Sequence, residues 1–484
     1  MMNIKAISSN VGKALLINAL FMFLSLVVSI IDGRDSAFGP LAISFLITLT
    51  VGSFPFIFIR KSLSLSLHDG FLTIVLSWLL SFLFGMLPYV LWGGEFTLIN
   101  ALFESVSGYT TTGATILTDV ESLPRSLLFW RSSTHFIGGL GVVVFLLLVM
   151  PDASPFRLKL TNMEMSSLSR EGYRYKSSKV VWIIAMVYIA LNALTFLSLW
   201  LAGMPFFDAV NHAFSIVSTG GFSTKNYSIG QFDSMAINVI ALIFMTLSAM
   251  HFGVLYGIFA TRSLKPLKNS VALFYIGTIL VLTVVLAISL RIEGVGGTWG
   301  QTLFDSLFNI VSYISSTGLA VSDNSSWPIL PGAILMFAAF HCGCSGSTTG
   351  GVKIDRIFIT LKAIGAEIKH RIHPYSVFQV RMDGHVLQDK AVSSVMMFIV
   401  LYIFISFISA VIAMMSGSEP AEAISGVISC IGCVGPGLSS LGSLGNYAAE
   451  PVVSKLVYSI DMFLGRIEIF PVLIVVSMIF KRRK

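Results

Sequence analysis

Four short segments of this chain place small, hydroxylated residues beside glycine between apolar runs. They read SVSGYTTTGATI at 105–116, FSIVSTGGFST at 214–224, VSYISSTGLAV at 311–321 and ISCIGCVGPGL at 428–438. Spacing assembles neither a nucleophile with its base nor a transition-metal ligand set from them. What they offer is backbone. Glycine reaches dihedral angles closed to other residues, so glycine at a fixed place lets successive carbonyls be aimed at one point. Rings of backbone carbonyls that replace a hydration shell are the means by which a pore selects potassium. Aligned on Gly113, Gly220, Gly318 and Gly435, the segments put Thr112, Thr219, Thr317 and Val434 directly before glycine, with Thr111, Ser218, Ser316 and Cys433 one place earlier. These positions are the candidate cation-binding set.

The elements that must hold them follow from composition. Of 484 residues, 55% are hydrophobic and only 11% charged, far outside the range of a soluble domain. A helix needs about 20 apolar residues to cross a bilayer. Stretches of that kind recur at 11–31, 40–59, 70–92, 127–150, 179–203, 233–260, 270–290, 329–362, 391–415 and 452–480, so ten spans are expected. The first two form a retained N-terminal hairpin. Each glycine segment follows a run too short to span, namely NALFESVSGYT, FDAVNHAFSIV, DSLFNIVSYIS or EAISGVISCIG. Non-helical backbone at membrane depth is tolerated only where protein or a watery cavity surrounds it. The expected fold is therefore an all-α membrane protein with four repeats of span, half-length pore helix, glycine segment and span, in pseudo-fourfold symmetry around one pore. Its units are the hairpin 1–67 and repeats 68–178, 179–268, 269–388 and 389–484.

Most of the 31 Lys and Arg fall on one side of these spans, including the terminal KRRK. Positive loops stay in the cytoplasm, which places both termini there and every half-helix on the outer side. The net charge of +7 is thus a topology signal and no sign of nucleic-acid binding. Asp208, Asp305 and Glu422 lie at or near the outer starts of half-helices, where they suit the positive helix end and give a negative vestibule.

Two features are expected on the inner side. HCGCSGSTTGGVK at 341–353 carries too much glycine for a continuous helix, and Gly343, Cys344, Ser345, Gly346, Ser347, Thr348, Thr349, Gly350 and Gly351 read as a gate loop beneath the carbonyl ring. Arg466 is a charge inside an apolar span. Such residues face a bundle interior or an ion route, and Asp461 and Glu468 are near enough in sequence to neutralise it. An ion route below the filter is the favoured reading. His135 and His251 read as structural histidines, and Cys342, Cys344, Cys430 and Cys433 as small packing residues. No HExxH, GxGxxG unit or P-loop is present, so neither an enzyme nor a nucleotide site is expected in this chain, and no cofactor apart from the transported ion.

Together TTTGA, STGGF, STGLA, CVGPG, the loop GCSGSTTGG and GRIEIF resemble the Trk/Ktr/HKT superfamily of potassium transporters, and the extra hairpin is most similar to its bacterial Trk type. The resemblance covers essentially the whole chain. It implies channel-like potassium uptake, with rubidium also carried, across a bacterial inner membrane. It also implies a homodimer with one pore per protomer and a cytoplasmic TrkA-type nucleotide-binding regulatory subunit. The basic loops 151–179 and 363–390 are the docking surfaces expected for that subunit. The loop 343–351 and Arg466 correspond to the family's gate. The competing class is a proton- or sodium-coupled symporter, whose broken helices are more often arranged as inverted repeats.

Overall fold

Helices α1 (Ile4–Ile31) and α2 (Phe38–Phe58) form the hairpin. They meet through glycine: a Cβ on Gly12 would fall 2.7 Å from the Gly52 carbonyl oxygen. Close approach of this kind is how helices associate in lipid, where burial of apolar surface supplies no driving force between them. The turn is fastened by Asp35, which accepts from Ser29 Oγ at 2.6 Å, Ser126 Oγ at 2.9 Å and the Ser126 N–H at 3.2 Å. Along its length α1 packs on the first repeat, where Asn18 Nδ2 donates to Ser81 Oγ at 3.0 Å.

The computed structural model describes residues 3–58, 66–149 and 177–481, so most of the basic loop 151–179 lies outside the described residues. Repeat one comprises α3 (Leu67–Gly85), a short α4 (Leu87–Trp92), the half-helix α5 (Leu98–Tyr109) and α6 (Arg125–Val149). Repeat two has α7 (Ser177–Leu201), the half-helix α8 (Phe206–Val217), α9 (Met235–Ser248) and α10 (Phe252–Thr261). Repeat three has α11 (Ser270–Ile292), the half-helix α12 (Trp299–Ile314), α13 (Ile329–His341) and α14 (Ile354–Ile372). Repeat four has α15 (Asp389–Met415), the half-helix α16 (Pro420–Gly432), α17 (Val452–Arg466) and α18 (Phe470–Lys481).

Several helix starts follow the local code. Ser66 and Asp69 form a capping box at α3, Thr298 and Gln301 another at α12, and Pro420 opens α16. A two-stranded hairpin, with Arg381 opposite Val386 and Met382 opposite His385, lies between α14 and α15. Its turn residues Asp383 and Gly384 both have positive φ, as a two-residue hairpin turn requires.

The repeats close on one another in order. The inner helix of each packs on the half-helix of the next: α6 on α8, α9 on α12, α13 on α16 and α17 back on α5. The half-helices are buried along most of their faces. The peripheral helices α11 and α15 instead turn Leu280, Val281, Val284, Val400, Phe404 and Phe407 outward as an apolar surface suited to lipid.

Among the described residues, six helices are long and apolar enough to cross a membrane, or seven if the pair α9 and α10 is one span. The expected count of ten is therefore not reproduced as ten continuous helices. The loop 342–353 interrupts the third repeat as its glycines predict. Two further breaks carry no comparable glycine signal. The segment 233–260 bends by 101° between α9 and α10, around Ala249–His251. The stretch 452–480 is broken at Ile467–Ile469, where Glu468 and Ile469 hold positive φ. Both breaks are held by tertiary contacts, which periodicity cannot report.

If the hairpin depends on the Gly12–Gly52 approach, Gly12→Val lowers the thermal midpoint of the detergent-solubilised protein, an overpacking cost of about 1–3 kcal/mol. Gly277 on α11 has open space where a Cβ would go, so Gly277→Ala leaves the midpoint level or slightly raised. A differential scanning measurement of both variants checks the contrast.

Candidate functional site: a four-part carbonyl ring

The four half-helices end alike. Thr111, Thr219, Ser316 and Cys433 each adopt a left-handed φ of 52–57°. The next N–H in each segment then reaches back to a serine carbonyl. Thr112 donates to Ser107 at 2.9 Å, Gly220 to Ser215 at 2.8 Å, Thr317 to Ser312 at 2.9 Å and Val434 to Ser429 at 2.9 Å. This is the Schellman arrangement, which satisfies orphan carbonyls of the helix end. The cap residues are not glycine, a strained choice held by its surroundings.

The glycine that follows closes the ring. A Cβ on Gly113 would fall 2.1 Å from the Gly220 oxygen, one on Gly221 2.2 Å from that of Thr317, one on Gly318 2.2 Å from that of Val434, and one on Gly435 2.5 Å from that of Thr112. Each segment therefore occupies with a carbonyl the space left by the glycine of its neighbour, in the cyclic order one to two to three to four to one. All four glycines have positive φ, between 71° and 99°.

This geometry corrects the register expected for the second segment. Its equivalents of Thr111, Thr112 and Gly113 are Thr219, Gly220 and Gly221, one place later than Ser218, Thr219 and Gly220. Ser218 is the last cap position of α8, equivalent to Thr110 and Ser315. The doublet Gly220-Gly221 allowed either alignment, and only the conformation chooses. Gly220 has its own reason to lack a side chain, because the His135 ring would lie 2.3 Å from a Cβ there.

Outside the ring lies a cavity of about 340 Å³ whose lining includes Gly113, Gly221, Gly318 and Gly435 together with Asp323 and Lys225. The outer loops close in the same cyclic order. Asn226 Oδ1 accepts from the Val120 N–H at 2.7 Å, Gly230 N–H donates to Ala320 O at 3.1 Å, Ser443 N–H to Asn324 Oδ1 at 2.8 Å and Tyr447 N–H to Thr115 O at 2.8 Å. The Lys225 ammonium, 2.9 Å from Glu121, holds that carboxyl below the usual carboxylate range. Of the acidic residues at the half-helix starts, Asp208 accepts from Thr224 Oγ1 and Glu422 from Ser440 Oγ, both at 2.6 Å, while Asp305 sits further along α12 than the first turn.

Beneath the ring, the loop 342–353 touches repeats two and four. Cys344 N–H donates to Ala249 O at 2.8 Å, and Phe252 N–H to Gly346 O at 3.1 Å, so the loop pairs with the break in repeat two. Thr348 Oγ1 donates to Val217 O at 3.0 Å, at the inner end of α8. A Cβ on Gly350 would lie 2.7 Å from that of Cys433, and one on Gly351 2.3 Å from Cys342 Sγ. The expected gate residues are thus packed against glycine segment four and half-helix two.

Arg466, buried at the end of α17, donates to the carbonyls of Thr348 and Gly138. The carboxylates expected near it are engaged elsewhere. Asp461 accepts from Ser409 Oγ at 2.8 Å, and Glu468 pairs with Lys353 at 2.8 Å and Arg356 at 2.6 Å. Arg466 therefore ties the loop to α6 instead of sitting in an ion pair with either of them. His251 Nδ1 accepts from Gly253 N–H at 2.9 Å and caps α10, and His135 stacks on Phe222 at 4.1 Å, both in accord with structural roles. The four cysteines are buried free thiols. Among the described residues no group of three His, Cys, Asp or Glu converges on a metal site.

Sequence reading missed two groups that shape the site. Tyr447, from the outer loop of repeat four, donates its hydroxyl to Gly435 O at 2.8 Å. Glu104 on α5 and Arg131 on α6 form a buried ion pair of 2.7 Å behind the first segment. A carboxylate on a half-helix within a membrane was the available signal for the second.

The chain and its fold are similar to known proteins. The family model described as TrkH, cation transport protein, matches residues 41–293 and 296–483. The chain is 31% identical over 490 residues to the Trk system potassium uptake protein TrkH of Salmonella typhimurium, covering 99% of this chain and 100% of that one. It is 32% identical to the Trk system potassium uptake protein TrkG of Escherichia coli K12, with 99% of each covered. The crystal structure of the potassium transporter TrkH from Vibrio parahaemolyticus superposes with a TM-score of 0.86 at 29% identity, over 98% of both chains. On the extent of these matches, the chain belongs to the TrkH family of cation transport proteins.

Proposed function

We propose that this chain carries potassium into a bacterial cell through a channel-like pore whose selective element is the ring at Thr111–Gly113, Thr219–Gly221, Ser316–Gly318 and Cys433–Gly435. The observation that carries the reading is the cyclic packing of each glycine against the carbonyl of the next segment. Uncharged oxygens in that setting suit a weakly hydrated monovalent cation. The half-helices turn their carbonyl ends toward the ring, adding partial negative charge. Relatives that are named potassium uptake proteins support the choice of ion.

In this reading the loop 343–351, tied down by Arg466, is the gate, and its displacement opens the route to the cytoplasm. The chain works as a homodimer in the inner membrane, with both termini cytoplasmic, and a TrkA-type nucleotide-binding subunit acts on its basic inner face. The rings of carbonyl and hydroxyl oxygen need no cofactor in this chain.

Purified protein in liposomes, under an imposed voltage and without a proton gradient, is expected to pass potassium and rubidium ahead of sodium and lithium. Flux that appears only when a proton or sodium gradient is supplied would instead establish a coupled symporter.

The corrected register has its own test. Gly221→Ser forces a side chain onto the Thr317 carbonyl in a left-handed backbone, a strain of about 1–3 kcal/mol, and is expected to depress potassium selectivity whatever surrounds it. The Gly220→Ser clash is with the His135 ring, so adding His135→Ala relieves that defect and leaves the Gly221→Ser defect in place. Equal rescue of both would return the register to Gly220.

Arg466→Ala removes the link between the loop at Thr348 and α6 at Gly138, and a positive charge below the ring. Potassium flux through the reconstituted chain is expected to rise, and a fall in flux with folding intact would exclude this form of the gate.

A further inference from the structure

Pseudo-symmetry makes equivalent positions comparable, and one of them is occupied four different ways. Three residues before the serines that receive the capping hydrogen bonds stand Glu104, His212, Asn309 and Gly426. The first three reach forward to the strand that leaves the ring in their own repeat. Glu104 accepts from Thr115 Oγ1 at 3.0 Å and from the Ile116 N–H at 3.0 Å. His212 Nε2 lies 3.0 Å from Ser223 Oγ, and Asn309 Nδ2 donates to Ser322 Oγ at 3.3 Å. Gly426 has nothing to extend, and its neighbour Ser425 accepts from the Leu438 N–H at 3.0 Å instead.

Only the first of these struts is ionic. Arg131 pairs with Glu104, and the two side chains are 2% and 0% exposed. The same guanidinium donates to Ser223 O at 3.3 Å, lies 3.9 Å over the Phe222 ring, and reaches Thr115 Oγ1 at 3.3 Å. It therefore holds the exit strands of segments one and two together. A buried pair of this kind has little value for stability compared with apolar packing, but it fixes geometry through several charge-assisted hydrogen bonds.

We propose that Glu104 and Arg131 are specificity-determining positioning residues: together they hold the first two segments at the spacing on which discrimination among alkali cations depends. The inference rests on the pore reading above. A small cation gains full coordination only if the carbonyls draw inward, and a strut anchored behind two adjacent segments opposes that contraction. The neutral struts of segments two and three and the serine of segment four oppose it less, so selectivity is set unequally around the ring.

The test compares potassium, sodium and lithium influx in liposomes for the wild-type chain, Glu104→Gln, Thr115→Val and Asn309→Ala, each checked for its thermal midpoint and elution profile. Glu104→Gln keeps the shape and loses the charge. Its sodium-to-potassium flux ratio is expected to rise about tenfold, with a lowered thermal midpoint because the buried Arg131 charge loses its partner. Asn309→Ala, at the neutral strut, is expected to change the ratio less. Thr115→Val removes the held hydroxyl without stranding a buried charge, so it shows the same rise and decides the matter if Glu104→Gln does not fold. A selective wild type with an unchanged ratio in Thr115→Val and in any folded Glu104→Gln overturns this inference alone. A wild type that does not select potassium overturns the pore reading itself.

Discussion

Everything in this molecule is arranged around backbone that is not helical yet lies at membrane depth. In lipid such backbone has no water to bond, so each N–H and C=O must find a partner within the protein. The chain meets this constraint in the same way four times. A half-helix ends in a left-handed cap, the following N–H returns to a serine carbonyl, and a glycine then lets the next repeat bring its own carbonyl into contact. The solution is collective, because no segment can adopt this path unless its neighbour supplies the wall. That is why the inner helix of each repeat packs on the half-helix of the following one, and why the outer loops are hydrogen-bonded in the same cyclic order.

The inner side obeys the same constraint with less symmetry. Repeat one continues through the membrane as a single helix, whereas the other three break. The breaks satisfy one another: the loop of repeat three exchanges hydrogen bonds with the broken span of repeat two, and Arg466 beside the break in repeat four donates to the loop. A positive charge here need not be matched by a carboxylate, since the Thr348 carbonyl of the loop and the Gly138 carbonyl of α6 offer partial negative charge at close range. Glu468 is correspondingly occupied on the loop's far flank, where it joins Lys353 and Arg356. The consequence is one connected layer of irregular backbone directly below the ring, in which moving the loop means exchanging bonds with two neighbouring repeats.

Legibility in the sequence followed the range of the physics involved. The membrane setting, the four half-helices, the N-terminal hairpin and the break at 342–353 are written in composition and in runs of glycine, which act within a few residues. The bends at Ala249–His251 and Ile467–Ile469 lie in sequence that reads as continuous apolar helix. They form because the loop and the half-helix ends provide better partners than the helix itself would. The partners of Asp461 and Glu468 were also invisible, since proximity in sequence to Arg466 says nothing about which face of a broken helix each residue occupies.

The sequence by itself determined that this chain lies in a membrane, that it is built from four like units, and that Gly113, Gly318 and Gly435 stand where side chains are forbidden. Tertiary structure alone decided which glycine of the 220–221 pair completes the set, because both satisfy the motif and only one faces the carbonyl of the next repeat. It also decided that Glu104, His212, Asn309 and Gly426 occupy one equivalent position, a relation that appears only after the four helix ends are superposed. The physical reason is the same in both cases. Local sequence specifies what backbone a residue can adopt, whereas contact with a neighbouring repeat selects which of the allowed conformations is used.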